Sequence, residues 1–173
     1  MKAKITFALI TIFGIVIIGC KQKEEKVVVE EVKIDLLNDE FPDAKQEVKL
    51  TMDSIAQSVK DYDIDRLISF HAYGPKFTEF KNGEPRNGGA ENEEFERGVF
   101  GSVTEVVKFD MNDLKVDVYG DAANVTLHSD FHLKFDKDLA VVNEQISLLF
   151  LKTKNGWRIV HEHHSPLNME KKE

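Results

Sequence analysis

The chain has 173 residues, 42% of them apolar and 31% charged, the balance of a soluble domain that can bury a core of its own. A formal charge of −8 repels phosphate backbones and argues against nucleic acid as a partner. One cysteine rules out an internal disulfide and a structural zinc site built on several thiolates, so packing must hold the fold.

Lys2 and Lys4 precede an uncharged, mostly apolar run from Ile5 to Ile18. A charged start and a short apolar stretch have the form of a secretory signal, and the run falls short of the ~20 residues that cross a bilayer. It ends Ile17-Ile18-Gly19-Cys20, which resembles the bacterial lipobox, although leucine is more usual where Ile17 stands. The resemblance implies diacylglycerol on the Cys20 sulfur, cleavage before Cys20 and anchoring in a membrane, each buried methylene adding ~0.8 kcal/mol. Loss of residues 1–19 removes Lys2 and Lys4 and makes the chain more acidic by two charges. Lys21, where lipoproteins retained at the inner membrane often carry Asp, points to the outer membrane, on its periplasmic or its surface side. Residues 20–40, rich in Lys, Glu and Val, form a lipidated flexible tether.

The folded domain is expected over residues 41–168, with 169–173 a charged tail. Asp43 is the predicted cap of a first helix, with Gln46 three residues on and Val48, Met52, Ile55 and Val59 on one face. Asp63 caps a shorter second helix with Ile64, Leu67 and Ile68 inward, stopped by Gly74-Pro75. Residues 82–90 read as a loop, and Asn92 as the cap of a third helix with Phe95 and Val99 inward. From Thr104 the period becomes two: Leu114, Val116 and Val118 alternate with polar residues, as do Val125, Leu127, Phe131, Leu133 and Phe135 after a turn at Gly120-Asp121. Asp136-Lys137-Asp138 turns the chain again, Ile146–Thr153 is an apolar strand, and Asn155-Gly156 returns it into residues 157–165. Helices followed by an antiparallel meander make an α+β domain, its helices covering one face of a curved sheet.

The closing segment, Gly156-Trp157-Arg158-Ile159-Val160-His161-Glu162-His163-His164-Ser165, resembles the last strand of SnoaL-like proteins in the nuclear transport factor 2-like superfamily, and that of the association domain of calcium/calmodulin-dependent kinase II. Asp63 through Phe80, with Phe77-Thr78-Glu79-Phe80, is similar to the same family's early half. The resemblance implies a cone: a strongly bent antiparallel sheet around an N-terminal helix, with an apolar pocket at its mouth. It also implies that His164 stands where the kinase domain has a pocket-lining arginine. The family hosts isomerases, dehydratases, transport factors and oligomerisation hubs, so the fold alone names no activity.

Alternation along the last strand sends His161 and His163 one way, Glu162 and His164 the other. His161 and His163 are too few to hold a metal unless His128 and His132 join them, and no metal or cofactor is expected. Glu162 and His164 are the candidate acid and base, since a buried carboxylate beside an imidazole is the material of proton transfer. Tyr73, Phe77 and Phe131 are candidate ligand contacts. His71, on the inner stripe of the second helix, reads as a buried histidine satisfied by its surroundings. Asp130 falls on the polar face with His128 and His132, which speaks against an isomerase base there. The favoured function is a non-enzymatic module of the cell envelope, homodimeric, that binds a small apolar ligand or a protein. The alternative is a small acid–base enzyme of isomerase, dehydratase or hydrolase type.

Overall fold

The computed structural model describes residues 33–86 and 88–168. The leader, Cys20, the tether as far as Val32 and the tail from Met169 lie outside the described residues. No helix among the described residues is long and apolar enough to cross a membrane.

Helix α1 spans Pro42–Lys60. The expected Asp43 cap is not formed. Phe41 takes a left-handed conformation and Pro42 opens the helix, where its fixed φ suits the first turn and its missing N–H costs nothing. That start draws Asp43 into the first turn, where its charge favours the N-terminal end of the dipole. Of the predicted stripe Val48, Met52 and Val59 are buried and Ile55 is partly buried against the core, with Ala56 buried beside it. Helix α2, Ile64–Ser69, is capped as predicted, the Asp63 side chain accepting from the Arg66 N–H at 3.0 Å. It ends five residues before Gly74-Pro75. The backbone there turns to pair with the last strand instead, Ala72 N–H donating to Ile159 O and Ile159 N–H to Phe70 O.

Residues 82–90 are not a plain loop. Strands β1 (Thr78–Lys81) and β2 (Glu84–Arg86) form a hairpin. Asn82 (φ 52°) and Gly83 (φ 82°) both adopt the left-handed region that a two-residue hairpin turn requires. Pro85, a strand breaker elsewhere, is tolerated because β2 lies at the sheet edge. Helix α3 spans Gly89–Gly101, starting before the predicted cap. Asn92 is buried inside it, its side-chain amide donating to Gly88 O, and Phe95 is exposed rather than inward. Gly89 sets this rotation: a Cβ there would lie 2.3 Å from the Gly74 nitrogen, so the helix meets the chain at Tyr73-Gly74 backbone to backbone. With Gly89 inward, the inward stripe continues through Asn92 and Glu96 to Phe100.

The remaining strands are β3 (Glu105–Tyr119), β4 (Ala122–Phe135), β5 (Asp138–Val142), β6 (Glu144–Thr153) and β7 (Gly156–Pro166). They form one sheet in the order β2-β1-β7-β6-β4-β3, with the unforeseen β5 pairing the far end of β4. Every pairing is antiparallel except β1 with β7.

Strand parity is what builds the interior. On β4 the inward residues are odd-numbered throughout, Ala123 to Leu133, and on β6 even-numbered, Glu144 to Phe150. β3 and β7 change parity at bulges. On β3 the ladder slips between Val106 and Lys108 and again between Asn112 and Lys115, so Phe109 faces inward before the second slip and Val116 and Val118 after it. On β7 the slip leaves Val160 without a partner. Each extra residue bends its strand and raises its twist, and three of them curl the sheet around α1. The core beneath holds Val48, Met52, Phe77, Val125, Phe150 and Trp157, all almost fully buried. Each such side chain contributes about 1.5–3 kcal/mol.

Candidate functional site

The bulge at Val160 decides what the interior contains. Trp157 and Ile159 face the core, and strict alternation would send His161 and His163 after them. One unpaired residue shifts the parity, so Glu162 and His164 enter instead. His163 is exposed, and His161 faces the outer side with its Nδ1 2.8 Å from the Thr78 hydroxyl.

Inside, four groups form a ladder. His71 Nε2 lies 2.7 Å from Glu162 Oε1, and His164 Nε2 lies 3.1 Å from Glu162 Oε2. His164 Nδ1 is 3.1 Å from Glu144 Oε2, and the Asn82 amide donates to Glu144 Oε1 at 2.9 Å. His71 Nδ1 is 3.2 Å from Leu67 O, which fixes its ring. Tyr73 stacks flat on that ring at 4.8 Å and Phe77 meets Tyr73 edge-on. A fifth group enters from α3: Glu96 Oε2 accepts from the Tyr73 hydroxyl at 2.8 Å and lies 3.8 Å from His71 Nε2.

The ladder polarises its members. Burial works against the charge on His71, but the charge and contact of Glu162, with Glu96 behind, outweigh it and raise its pKa to about 9. His164 is likewise raised to about 9 against the cost of burial by its contacts with Glu144 and Glu162. Burial opposes ionisation of Glu162, yet the two imidazoles hold it well below the usual carboxylate range. Glu144 falls to about 2, its burial outweighed by His164 and Asn82. Glu96 goes the other way. Burial, then the charge of Glu162, push its pKa up more than His71 and Tyr73 pull it down.

The ladder closes one end of an apolar chamber with about 90 Å³ open to water-sized molecules. Met52, Leu67, Phe109, Met111 and Leu148 supply apolar wall, and His71, Glu96, Glu162 and His164 the polar end. A second chamber of about 110 Å³ adds Glu79, Lys81 and Phe95 and shares Glu96, Phe100, Phe131, Ile146 and His164 with the first. Glu96 thus sits where the two meet.

A model of the SnoaL-like domain matches residues 48–169. The chain belongs to the SnoaL-like family. No curated protein matches it. Among solved structures, a nuclear transport factor 2-like protein of Streptomyces avermitilis, whose name carries a dehydratase assignment, is 21% identical, with a TM-score of 0.65 over 74% of this chain and 99% of that one. A nuclear transport factor 2-like superfamily protein of Salmonella enterica is 22% identical, TM-score 0.62, over 76% and 96%. One of unknown function from Pseudomonas putida is 22% identical, TM-score 0.60, over 75% and 91%. At these identities the likeness extends to the fold.

Within this SnoaL-like pocket the residues singled out in the sequence separate. Glu162 and His164 line the first chamber, and Phe131 lines both. Phe131 also stacks on Phe109, ring centres 3.8 Å apart. Tyr73 and Phe77 stand behind His71 and are not lining residues. His128, Asp130 and His132 stay on the outer face of β4, where Asp130 pairs with Lys108 and His132. His71 lies past the end of α2 and is a member of the ladder rather than a bystander. Sequence pattern does not single out Glu96. Its signal was the spacing Asn92, Glu96, Phe100, a polar-led stripe hidden beside the more apolar pair Phe95 and Val99.

Proposed function

We propose that this SnoaL-like domain binds a small, mostly apolar molecule with an oxygen-bearing end, as the working part of a homodimeric lipoprotein held at the outer membrane by lipid on Cys20. The observation that carries the reading is Glu96. It is a carboxyl whose pKa burial raises, at the wall of an apolar chamber, and in its protonated form it donates a hydrogen bond to a ligand carbonyl or hydroxyl. Glu162 and His164 hold His71 and each other, so most of their polar atoms are already engaged. The chamber's size suits a compact ligand, and Phe131 is a flat apolar contact for it. Native mass spectrometry of the protein purified from its own cells tests this. A retained small molecule, lost in Glu96→Leu, is the expected result. No adduct, with Glu96→Leu matching the wild type in a screen of small carbonyl and hydroxyl compounds, overturns it. The mass of the N-terminal peptide tests lipidation of Cys20, and the native mass tests the dimer.

One observation favours acid–base catalysis as a second reading. Glu96 stands 3.8 Å from His71, so a proton donor and an imidazole share one wall of the chamber. In that reading Glu96 exchanges the proton and Glu162 and His164 position His71. The dehydratase assignment of the Streptomyces relative is compatible with it. Turnover that Glu96→Gln abolishes while ligand binding persists would favour this reading over binding alone.

A further inference from the structure

Sequence neighbours on β7 lack the third donor a metal needs, but the tertiary fold supplies one set from three separate elements. His71 comes from the segment after α2, Glu96 from α3 and Glu162 from β7. One donor atom from each lies within 4.8 Å of the others. Two of the separations are 2.7 Å and 3.8 Å. Bonds of about 2.0–2.2 Å to a tetrahedral ion set its donors roughly 3.3–3.5 Å apart, a value those two distances bracket.

Three further observations point to an ion. Glu162 is 6% exposed, yet no hydrogen bond reaches its Oε1. The His71 nitrogen is near enough in distance, so what fails is direction. The other nitrogen of His71 contacts the Leu67 carbonyl, the usual way a protein orients a metal-binding imidazole. The other oxygen of Glu162 is held by His164, itself held by Glu144, and Tyr73 donates to Glu96. Each donor is thus steadied from behind. A second trio, Glu79, Glu162 and His164, also converges, but both His164 nitrogens are aligned for hydrogen bonds to carboxylates, whereas His71 Nε2 meets Glu162 Oε1 out of line and gives up its proton to admit an ion.

We propose that His71, Glu96 and Glu162 bind a single first-row divalent cation, Zn²⁺ more tightly than Mn²⁺, with an open coordination position facing the apolar chamber. One imidazole and two carboxylates suit such ions, and three protein ligands with one open position is the arrangement of reactive rather than structural sites. The proposal rests on the pocket reading only for what fills the open position, the ligand's oxygen; with the ion bound, Glu96 is an ionised ligand and the ion replaces its proton as the partner of that oxygen.

The test starts from protein stripped with a chelator and adds Zn²⁺ or Mn²⁺ alone, followed by calorimetry and native mass spectrometry. One equivalent of Zn²⁺ is expected. Glu96→Gln and His71→Asn should each weaken it at least about tenfold, more than loss of an outer-shell partner does at its mildest. The pair His161→Ala with His163→Ala should change it less than about twofold. If His71→Asn fails to fold, Co²⁺ in the wild type locates the site: the ring signals of His71 should shift strongly while those of His161 and His163 stay in place. No stoichiometric binding overturns the proposal, as does binding that survives Glu96→Gln or is lost in the outer-face pair. Stripped protein that retains a small molecule and ignores metal sinks the metal site and leaves the pocket reading standing. One bound ion with no small-molecule adduct supports the site and counts against the pocket reading.

Discussion

Replacing Glu162 by Gln keeps the shape of the ladder and removes its central charge. His71 and His164 are then two buried imidazoles without their shared anion. Breaking a buried ion pair from one side costs about 3–5 kcal/mol. The pKa values allow a check. A histidine held at about 9 in the fold and near 6.5 unfolded carries roughly 3 kcal/mol when fully protonated and about 2–3 kcal/mol at pH 7. The attraction appears on both partners and is counted once. At pH 7 the two routes meet near about 3 kcal/mol, a large share of the 5–15 kcal/mol that holds a domain. The sign with pH follows. Histidines raised in the fold stabilise fully below pH 6.5 and lose that contribution as pH rises through about 9. Glu162 and Glu144, lowered in the fold, stabilise above about 4.5 and lose it as pH falls. The metal-free wild type should therefore be most stable from about pH 5 to 6.5 and lose stability steadily from there to about pH 9, with Glu162→Gln lying about 3–5 kcal/mol below it on the plateau. Trp157, the only tryptophan and 2% exposed, reports urea unfolding by fluorescence. By pH 10 the imidazoles are neutral and the deficit should shrink. A deficit under about 1 kcal/mol at pH 7, or one that is the same at pH 10, would refute the charged ladder.

Glu96→Gln should act in the opposite sense on stability. A carboxylate raised by burial destabilises the fold above its unfolded value, so the amide should match or exceed the wild-type urea midpoint at pH 7. Gly89→Ala should destabilise by more than about 2 kcal/mol, although alanine is the better helix former by about 1 kcal/mol, because its Cβ meets the backbone of Tyr73 and Gly74; thermal unfolding measures it. Deleting Val160 removes the bulge and restores strict alternation. Ile159 and His161 keep Phe150 and Leu149 as partners, so Glu162 and His164 should stay in the chamber and ligand retention should persist; histidine NMR titrations showing His161 and His163 buried in their place would refute the register.

Much of the fold was legible because it rests on local periodicity. The α1 stripe, the Asp63 cap, the parity of β4 and the order of helices before strands all follow from side chains within a few residues of one another. The helix starts at Pro42 and Gly89 differed from expectation where one backbone preference outranked a polar cap. The β1–β2 hairpin was masked by Pro85, which an edge strand admits. The site was only half legible. Its tail, Glu162 and His164, could be named from alternation, but not the face they occupy. An extra residue at Val160 leaves no mark in composition and is visible only as a slipped ladder. His71 read as ordinary core, and Glu96 was hidden because the rotation of α3 is set by a backbone contact at Gly89 with a chain segment fifteen residues away. The sequence by itself determined the order of helices before strands, the amphipathic faces of the first helix and of β4, and the family. Only the tertiary structure brought His71, Glu96 and Glu162 to one point, because the attraction and repulsion that tune these groups act across space between chain segments whose separation local pattern does not encode.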